Sequence, residues 1–586
     1  MNYNNVIERK RDVIMKKLGI LLITLSMILM GCGSSATTTV SFSNFIEGVF
    51  VDDMEESYTD CHFTLKNPSK YHITNKDISF GNLVEKTSTY TKKLKALEAY
   101  KNADLTSSQK ITYTLYHQYL EDEITLSSSK YDYLNNVCDP LNSETSNVTT
   151  VLIEFPFYKQ QDIKDYITLI KSTKDYCDQI VDYLKKQSAK GNFMPTHTAK
   201  DYIETLDAFL DKNDNPLVRA FKNYDLPFTL TSEQKADYIA QIKAAYDSSV
   251  YEGFKEIKTT VKSLEKSSNN QLGLYYLKNG KSYYEESVKS ILGYDMSIDE
   301  IWSLMKSRAS TYISDMQSIT AAHPEAMNKV DSLTTGYTSY KKILAYLSSC
   351  IKTDFPEIKD VEYTVSAMDK SNAKDGNTAY YMVPPIDDNA TNVIRVNTTS
   401  GSSKISSVET FTTLAHEGFP GHLYQYNYQR NVKRDNILSE INCNAYTEGY
   451  ATYAQYKSYD YLKKDTSAVK LYRDNDKTIY ALVVMCDIGI HYKGWNESKV
   501  DSFLQGYGLD YGDDLDSLYY QLLGSPAVFV SYHVGCALFE KYKAKAQSQL
   551  GSRFSELAFN KAILKNGNVS MSMVEEQVND YIDSAN

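Results

Sequence analysis

Residues 411–430 read Phe411-Thr412-Thr413-Leu414-Ala415-His416-Glu417-Gly418-Phe419-Pro420-Gly421-His422-Leu423-Tyr424-Gln425-Tyr426-Asn427-Tyr428-Gln429-Arg430. The apolar spacing predicts a helix over about 405–430, broken or bent near its middle. Two histidines four residues apart on a helix, with a Glu beside the first, share one face and can hold a metal ion. Here the second histidine stands six positions on. Six residues turn a regular helix by about 600°, so the two rings would point roughly 120° apart. Gly418, Pro420 and Gly421 lie between them. Proline removes a backbone donor and crowds the preceding turn, while glycine accepts unusual dihedrals. A local bulge at that place brings His422 back to the face of His416. A kinked core helix with two incidental histidines is the plain alternative on spacing alone.

A metal site of this kind needs a third ligand and an open position for water. Glu448 is the candidate. It sits in Ala445-Tyr446-Thr447-Glu448-Gly449-Tyr450-Ala451-Thr452-Tyr453 on an expected buried helix, and a buried carboxylate needs a partner. Glu440 is the alternative, in more polar surroundings. Ahead of the histidine helix the period changes. Residues 361–365, 379–383 and 392–397 read as strands, the second ended by Pro384-Pro385. The segment Ile394-Arg395-Val396-Asn397 is the candidate edge strand for pairing with an extended substrate backbone.

The rest of the chain is helical in pattern. Stretches 83–101, 160–187, 233–267 and 297–321 carry apolar residues at three- and four-residue spacing, and helices return over 437–463, 468–493, 496–507, 514–547, 552–565 and 570–583. With 586 residues and 42% apolar content the chain is long enough for a large core. It holds 50 Tyr against 20 Phe, which suits amphipathic helices that pack a ring and keep a polar tip. A net charge of −11 without a basic stripe argues against a nucleic-acid partner. His62, His72, His117, His197 and His323 show no ligand spacing and read as packed or surface residues.

Met15-Lys16-Lys17 precedes an apolar run ending Leu29-Met30-Gly31-Cys32. A basic start and a run too short for a comfortable span read as a secretory signal. Its end resembles a bacterial lipoprotein signal, which implies cleavage before Cys32 and lipid on its sulfur. Residues 1–14 carry charges that do not fit a signal, so Met15 is the expected start. The expected layout is a signal over 1–31, a tether over 32–45, a helical half over 46–350 and a catalytic half over 351–586. The seven further cysteines are scattered, with no CxxC pair, which excludes a cysteine-based zinc module of the usual spacing.

The run His416 to His422, followed by Thr447-Glu448-Gly449-Tyr450-Ala451-Thr452-Tyr453, resembles the DUF885 family of bacterial proteins, grouped with gluzincin-type zinc metallopeptidases. The segments Asp487-Ile488-Gly489-Ile490-His491-Tyr492-Lys493-Gly494-Trp495, Ser525 to Gly535 and Phe554 to Gly567 extend the resemblance. Tyr450 stands where the family has Trp, Pro526-Ala527-Val528-Phe529 replaces a PGQA segment, and Asn560 occupies a common His position. These departures spare the ligands and touch the substrate side.

The resemblance implies a mainly α, large multi-helix zincin-like metallopeptidase fold, with a small β-sheet beside the active-site helix. One Zn(2+) ion would be held by His416, His422 and Glu448, with Glu417 as the base. Tyr532 is the expected oxyanion donor, with His491 and His533 as alternatives, and Asp487 has an orienting, capping or ion-pair role. The activity expected is hydrolysis of a peptide substrate at the extracytoplasmic face of the membrane. A binding lipoprotein without turnover and a hydrolase of non-peptide amides are the competing expectations.

Overall fold

The computed structural model describes residues 40–585, apart from 75–76, 85, 268–271, 360, 374–377, 389–391 and 400–403. Cys32 and the expected signal and most of the tether lie outside the described residues. Helices make up 68% of the described residues and strands 3%, so the protein is mainly α with a small three-stranded sheet.

The helices follow the spacing of their apolar residues. Gln160–Ala189 buries Ile163, Ile167, Ile170, Cys177, Ile180 and Leu184 along one stripe. Its start is fixed by Asp162, whose carboxylate accepts the N–H groups of Tyr158 and Lys159 at 2.7 and 2.9 Å. Ile298–Ala322 opens on a reciprocal cap, in which Ser297 and Glu300 each accept the other's backbone N–H. That helix packs along Thr466–His491.

Two expected long helices are interrupted. The 233–267 pattern resolves into Ser232–Ala245 and Tyr251–Leu264 joined by a π-turn at Tyr246–Val250. The 514–547 pattern resolves into Leu515–Gly524, a π-turn at Val530–Val534, and Gly535–Leu550. A π-turn adds one residue to a helical turn and leaves the apolar rhythm almost unchanged, so periodicity passes over it.

The tyrosines tie helices together. Tyr166 donates to Leu152 O at 2.8 Å, Tyr446 to Ile563 O at 3.0 Å and Tyr450 to Pro420 O at 3.0 Å. Each ring fills core volume while its hydroxyl satisfies a distant carbonyl.

The core has two main bodies. One gathers residues between Val137 and Val261 around Gln160–Ala189, with Tyr58, Phe80 and Leu83 from earlier in the chain. The other joins the first helices, from Phe42 to Leu120, to residues from Leu274 to Ile582. The core therefore does not divide at the expected 350/351 boundary, because the N-terminal helices pack with the C-terminal ones.

The sheet has β1 (Tyr363–Ala367), β2 (Ala379–Met382) and β3 (Asn392–Val396), in the order β1-β3-β2. β3 runs parallel to β1 and antiparallel to β2. It is the centre, not the edge, so the expected pairing of a substrate backbone with Ile394 to Asn397 is corrected. The backbone of β3 is spent on its two neighbours, and Asn397 N–H donates to Thr378 O at 2.9 Å.

Arg395 is likewise committed. Its guanidinium bonds the buried Glu154 carboxylate through Nε and Nη2, the latter at 2.7 Å, and Ser366 Oγ at 2.6 Å. Tyr380 donates to the same Glu154 at 2.7 Å. The pair joins the sheet to the helix Glu144–Ile153 of the other core body.

A buried ion pair is expensive to break from one side, because the remaining charge is stranded. Arg395→Met should lower unfolding free energy by about 3–5 kcal/mol. Adding Glu154→Leu should recover most of the loss, as read by denaturant titration. Equal losses in the single and double variants would show that the pair is not the link.

Candidate metal centre

The site is built at a chain reversal. The helix Val408–Glu417 starts on Ser407, whose Oγ accepts Thr410 N–H at 3.0 Å, and all its residues except Glu409 are buried. It stops at Gly418, and a second helix, His422–Gln429, begins after the turn. The expected bulge is thus a full break, a turn containing a cis Phe419–Pro420 peptide.

Both glycines are required by close approach. Gly421 N–H donates to Ala415 O at 2.9 Å, and a Cβ on Gly421 would sit 1.8 Å from His416 O. A Cβ on Gly418 would meet Leu344 at 2.3 Å and Leu414 O at 2.7 Å. The Tyr450 hydroxyl clamps the turn through Pro420 O. The result sets the His416 and His422 rings 4.7 Å apart and nearly perpendicular, at 85°.

Glu448 comes from the helix Asn444–Ser458. Its Oε2 lies 3.4 Å from His416 Nε2 and 3.7 Å from His422 Nε2. Glu417 Oε1 lies 4.0 Å from His416 Nε2, while Oε2 accepts the N–H of Tyr381 at 2.9 Å. Glu417 also offers an oxygen within 4.8 Å of donor atoms on both histidines. Two carboxylates therefore compete for the third ligand position. Glu448 is nearer and faces both rings, whereas Glu417 has one oxygen held by β2. The geometry favours Glu448 as ligand with Glu417 beside it.

His416 Nδ1 donates to Gln455 Oε1 at 3.1 Å, which turns Nε2 toward the cluster. All four groups are buried, with exposures of 1–7%. Neither oxygen of Glu448 accepts a hydrogen bond. Buried carboxylate oxygens without donors are costly unless a cation meets them. Two imidazoles and a carboxylate are a donor set that zinc accepts, with a fourth position left open.

The helix carrying Glu448 is pressed against the segment carrying Tyr532. A Cβ on Gly449 would lie 2.6 Å from Gly535 Cα and C, so the two backbones touch. The Tyr532 ring stacks on His416 at 6.2 Å and 20°. His533 stacks instead on Tyr480 at 4.0 Å. Burial, aided by the charge of His416, pushes His533 down to about 3, so it is neutral near pH 7.

Other expected residues lie apart from the cluster. His491 donates from Nε2 to Leu522 O at 2.9 Å and accepts Leu274 N–H on Nδ1 at 3.2 Å. Both nitrogens are spent on backbone, and burial pushes the ring down to about 4. It acts as a neutral pin between three segments, and no described contact brings it to the metal ligands. Asp487 accepts the Tyr284 hydroxyl and Ala527 N–H, and burial raises it to about 7. It holds the backbone just before the π-turn that bears Tyr532. Glu440 lies near Lys93, whose pKa its charge helps to raise, and does not join the histidines.

Gln455 and the backbone of Tyr381 are the members that sequence reasoning missed. Gln455 stands seven residues after Glu448, two turns along the same face, which is a readable signal. The Tyr381 contact is made by a main-chain N–H and has no side-chain signature.

Among curated protein sequences, none matches this chain. Two solved structures are similar to it in fold. One is of a protein from Colwellia psychrerythraea provisionally described as a lipoprotein, 17% identical, with a TM-score of 0.77, covering 93% of this chain and 100% of the other. The second, from Shewanella oneidensis, is provisionally described as a lipoprotein of unknown function. It is 15% identical, with a TM-score of 0.63, covering 92% of this chain and 99% of the other. The family model described as "Bacterial protein of unknown function (DUF885)" matches residues 71–578, which include every residue of the cluster, and the chain belongs to that family.

Proposed function

We propose that this protein is a zinc-dependent hydrolase, a peptidase, with His416, His422 and Glu448 as ligands in a gluzincin-like, zincin-type arrangement. The carrying observation is the convergence of both Nε2 atoms on Glu448 Oε2, at 3.4 and 3.7 Å, in a buried site where neither Glu448 oxygen accepts a hydrogen bond. A zinc ion bound there supplies acidity to a water and polarises a scissile carbonyl.

The chain's own groups supply the rest. Glu417 is placed to take a proton from water and return it to the leaving amine. Tyr381 N–H fixes its Oε2, so Oε1 is the atom that carries the proton. Tyr532, stacked on His416, is the side-chain donor for the developing oxyanion. β2, an edge strand beside Glu417, offers backbone to an extended peptide. The segment Leu29-Met30-Gly31-Cys32 and the descriptions of the two solved relatives support a lipid anchor on Cys32, outside the cytoplasm.

Purified protein should carry about one zinc per chain by elemental analysis. Glu448→Ala should lose it, and Gln455→Ala should weaken zinc affinity by about 10–100-fold. Metal-free wild type that cleaves nothing would overturn the proposal.

Glu417→Gln should keep the metal and lose peptide cleavage by at least about a hundredfold. Cleavage unchanged in that variant would remove Glu417 from the chemistry. Cys32→Ala should shift the protein from the membrane to the soluble fraction. Retention at the membrane would rule out lipid on Cys32 as the anchor.

A further inference from the structure

We propose that the cavity beside His422 receives one uncharged aliphatic side chain of a peptide, on a residue flanking the cleaved bond. This inference rests on the hydrolase reading above. The cavity, about 110 Å³ in volume, is walled in part by the site itself: His422 is a ligand and Tyr381 holds Glu417. Its apolar walls are Val383, Ile386, Leu438 and Ile441.

The remaining lining is aromatic, amide and hydroxyl, and among the described residues no Asp, Glu, Lys or Arg contributes to it. A charged side chain entering would shed water and meet no charged side chain of the described lining to offset the loss, which is strongly unfavourable. Size narrows the choice further. A cavity of about 150 Å³ takes up benzene. One of 110 Å³ suits a single Leu- or Met-sized chain better than an aromatic one.

The cavity is also preformed on its far side. Asn568 N–H donates to Gln429 Oε1 and its carbonyl accepts Arg434 Nη2, both at 2.8 Å. The edge strand β2 continues directly into Val383. A peptide paired along β2 therefore passes both Glu417 and this cavity.

The probes are acetylated alanine pentapeptide amides, with Leu, Met, Lys or Asp placed at each position in turn. Wild type should cleave Leu and Met peptides with kcat/KM at least about tenfold above Lys and Asp, at one position flanking the cut. Ile386→Lys should shift the Asp-to-Lys ratio at that position by at least about tenfold. Ile386 is half-buried, and Val383→Lys replaces it should that variant fail to fold.

Calorimetry on Glu417→Gln measures binding of the same peptides without turnover. Cleavage that ignores charge, or a ratio unmoved by both lysine variants, overturns the subsite and leaves hydrolysis intact. Selective binding of Leu and Met peptides without wild-type cleavage upholds the subsite and overturns hydrolysis. Neither binding nor cleavage overturns both.

Discussion

The backbone of Gly421 lies against the carbonyls of Ala415 and His416, and the site is arranged around that approach. It reverses the chain sharply enough for two histidines six residues apart to face one another. A side chain at Gly421 would displace the very carbonyl that closes the turn. The other parts lean on this point. Tyr450 grips the turn from the Glu448 helix, and Gln455, two turns further along, orients His416. One helix thus supplies a ligand, a clamp for the turn and an orienting amide. Metal-site geometry is set by such supporting contacts as much as by the ligands.

The histidine and glutamate cluster was largely legible in the sequence, because each member broke a local rule. His416 and His422 had the wrong spacing for a regular helix, and the residues able to repair it stood between them. Glu448 was a carboxylate among small and aromatic neighbours. The three strands were legible from their change of period, and they occur at Tyr363–Ala367, Ala379–Met382 and Asn392–Val396.

Strand order was not legible. β3 reads as an edge strand in sequence, being last and nearest the metal helix, yet it inserts between β1 and β2. Period tells which residues share a face and is silent about neighbours. Arg395 was read as part of the substrate-pairing segment for the same reason: only the fold brings Glu154, 241 residues away, to meet it. His491 looked chemical because it is a lone histidine in a motif. Its ring in fact serves two backbone groups, a role that leaves no mark in local sequence.

The division of the core bears on the order in which the chain can complete itself. The body around Gln160–Ala189 draws its members from Tyr58 to Val261, nearly all of them from Val137 onward. Its parts are close neighbours along the chain, and short loops close at little entropic cost. The other body sets Phe42, Ile46 and Phe50 in one cluster with Val574, Val578 and Ile582. Its first helix has to await its last, across some five hundred residues. The metal ligands belong to that second body. A nascent or truncated chain can therefore own a finished helical lobe long before it owns a site.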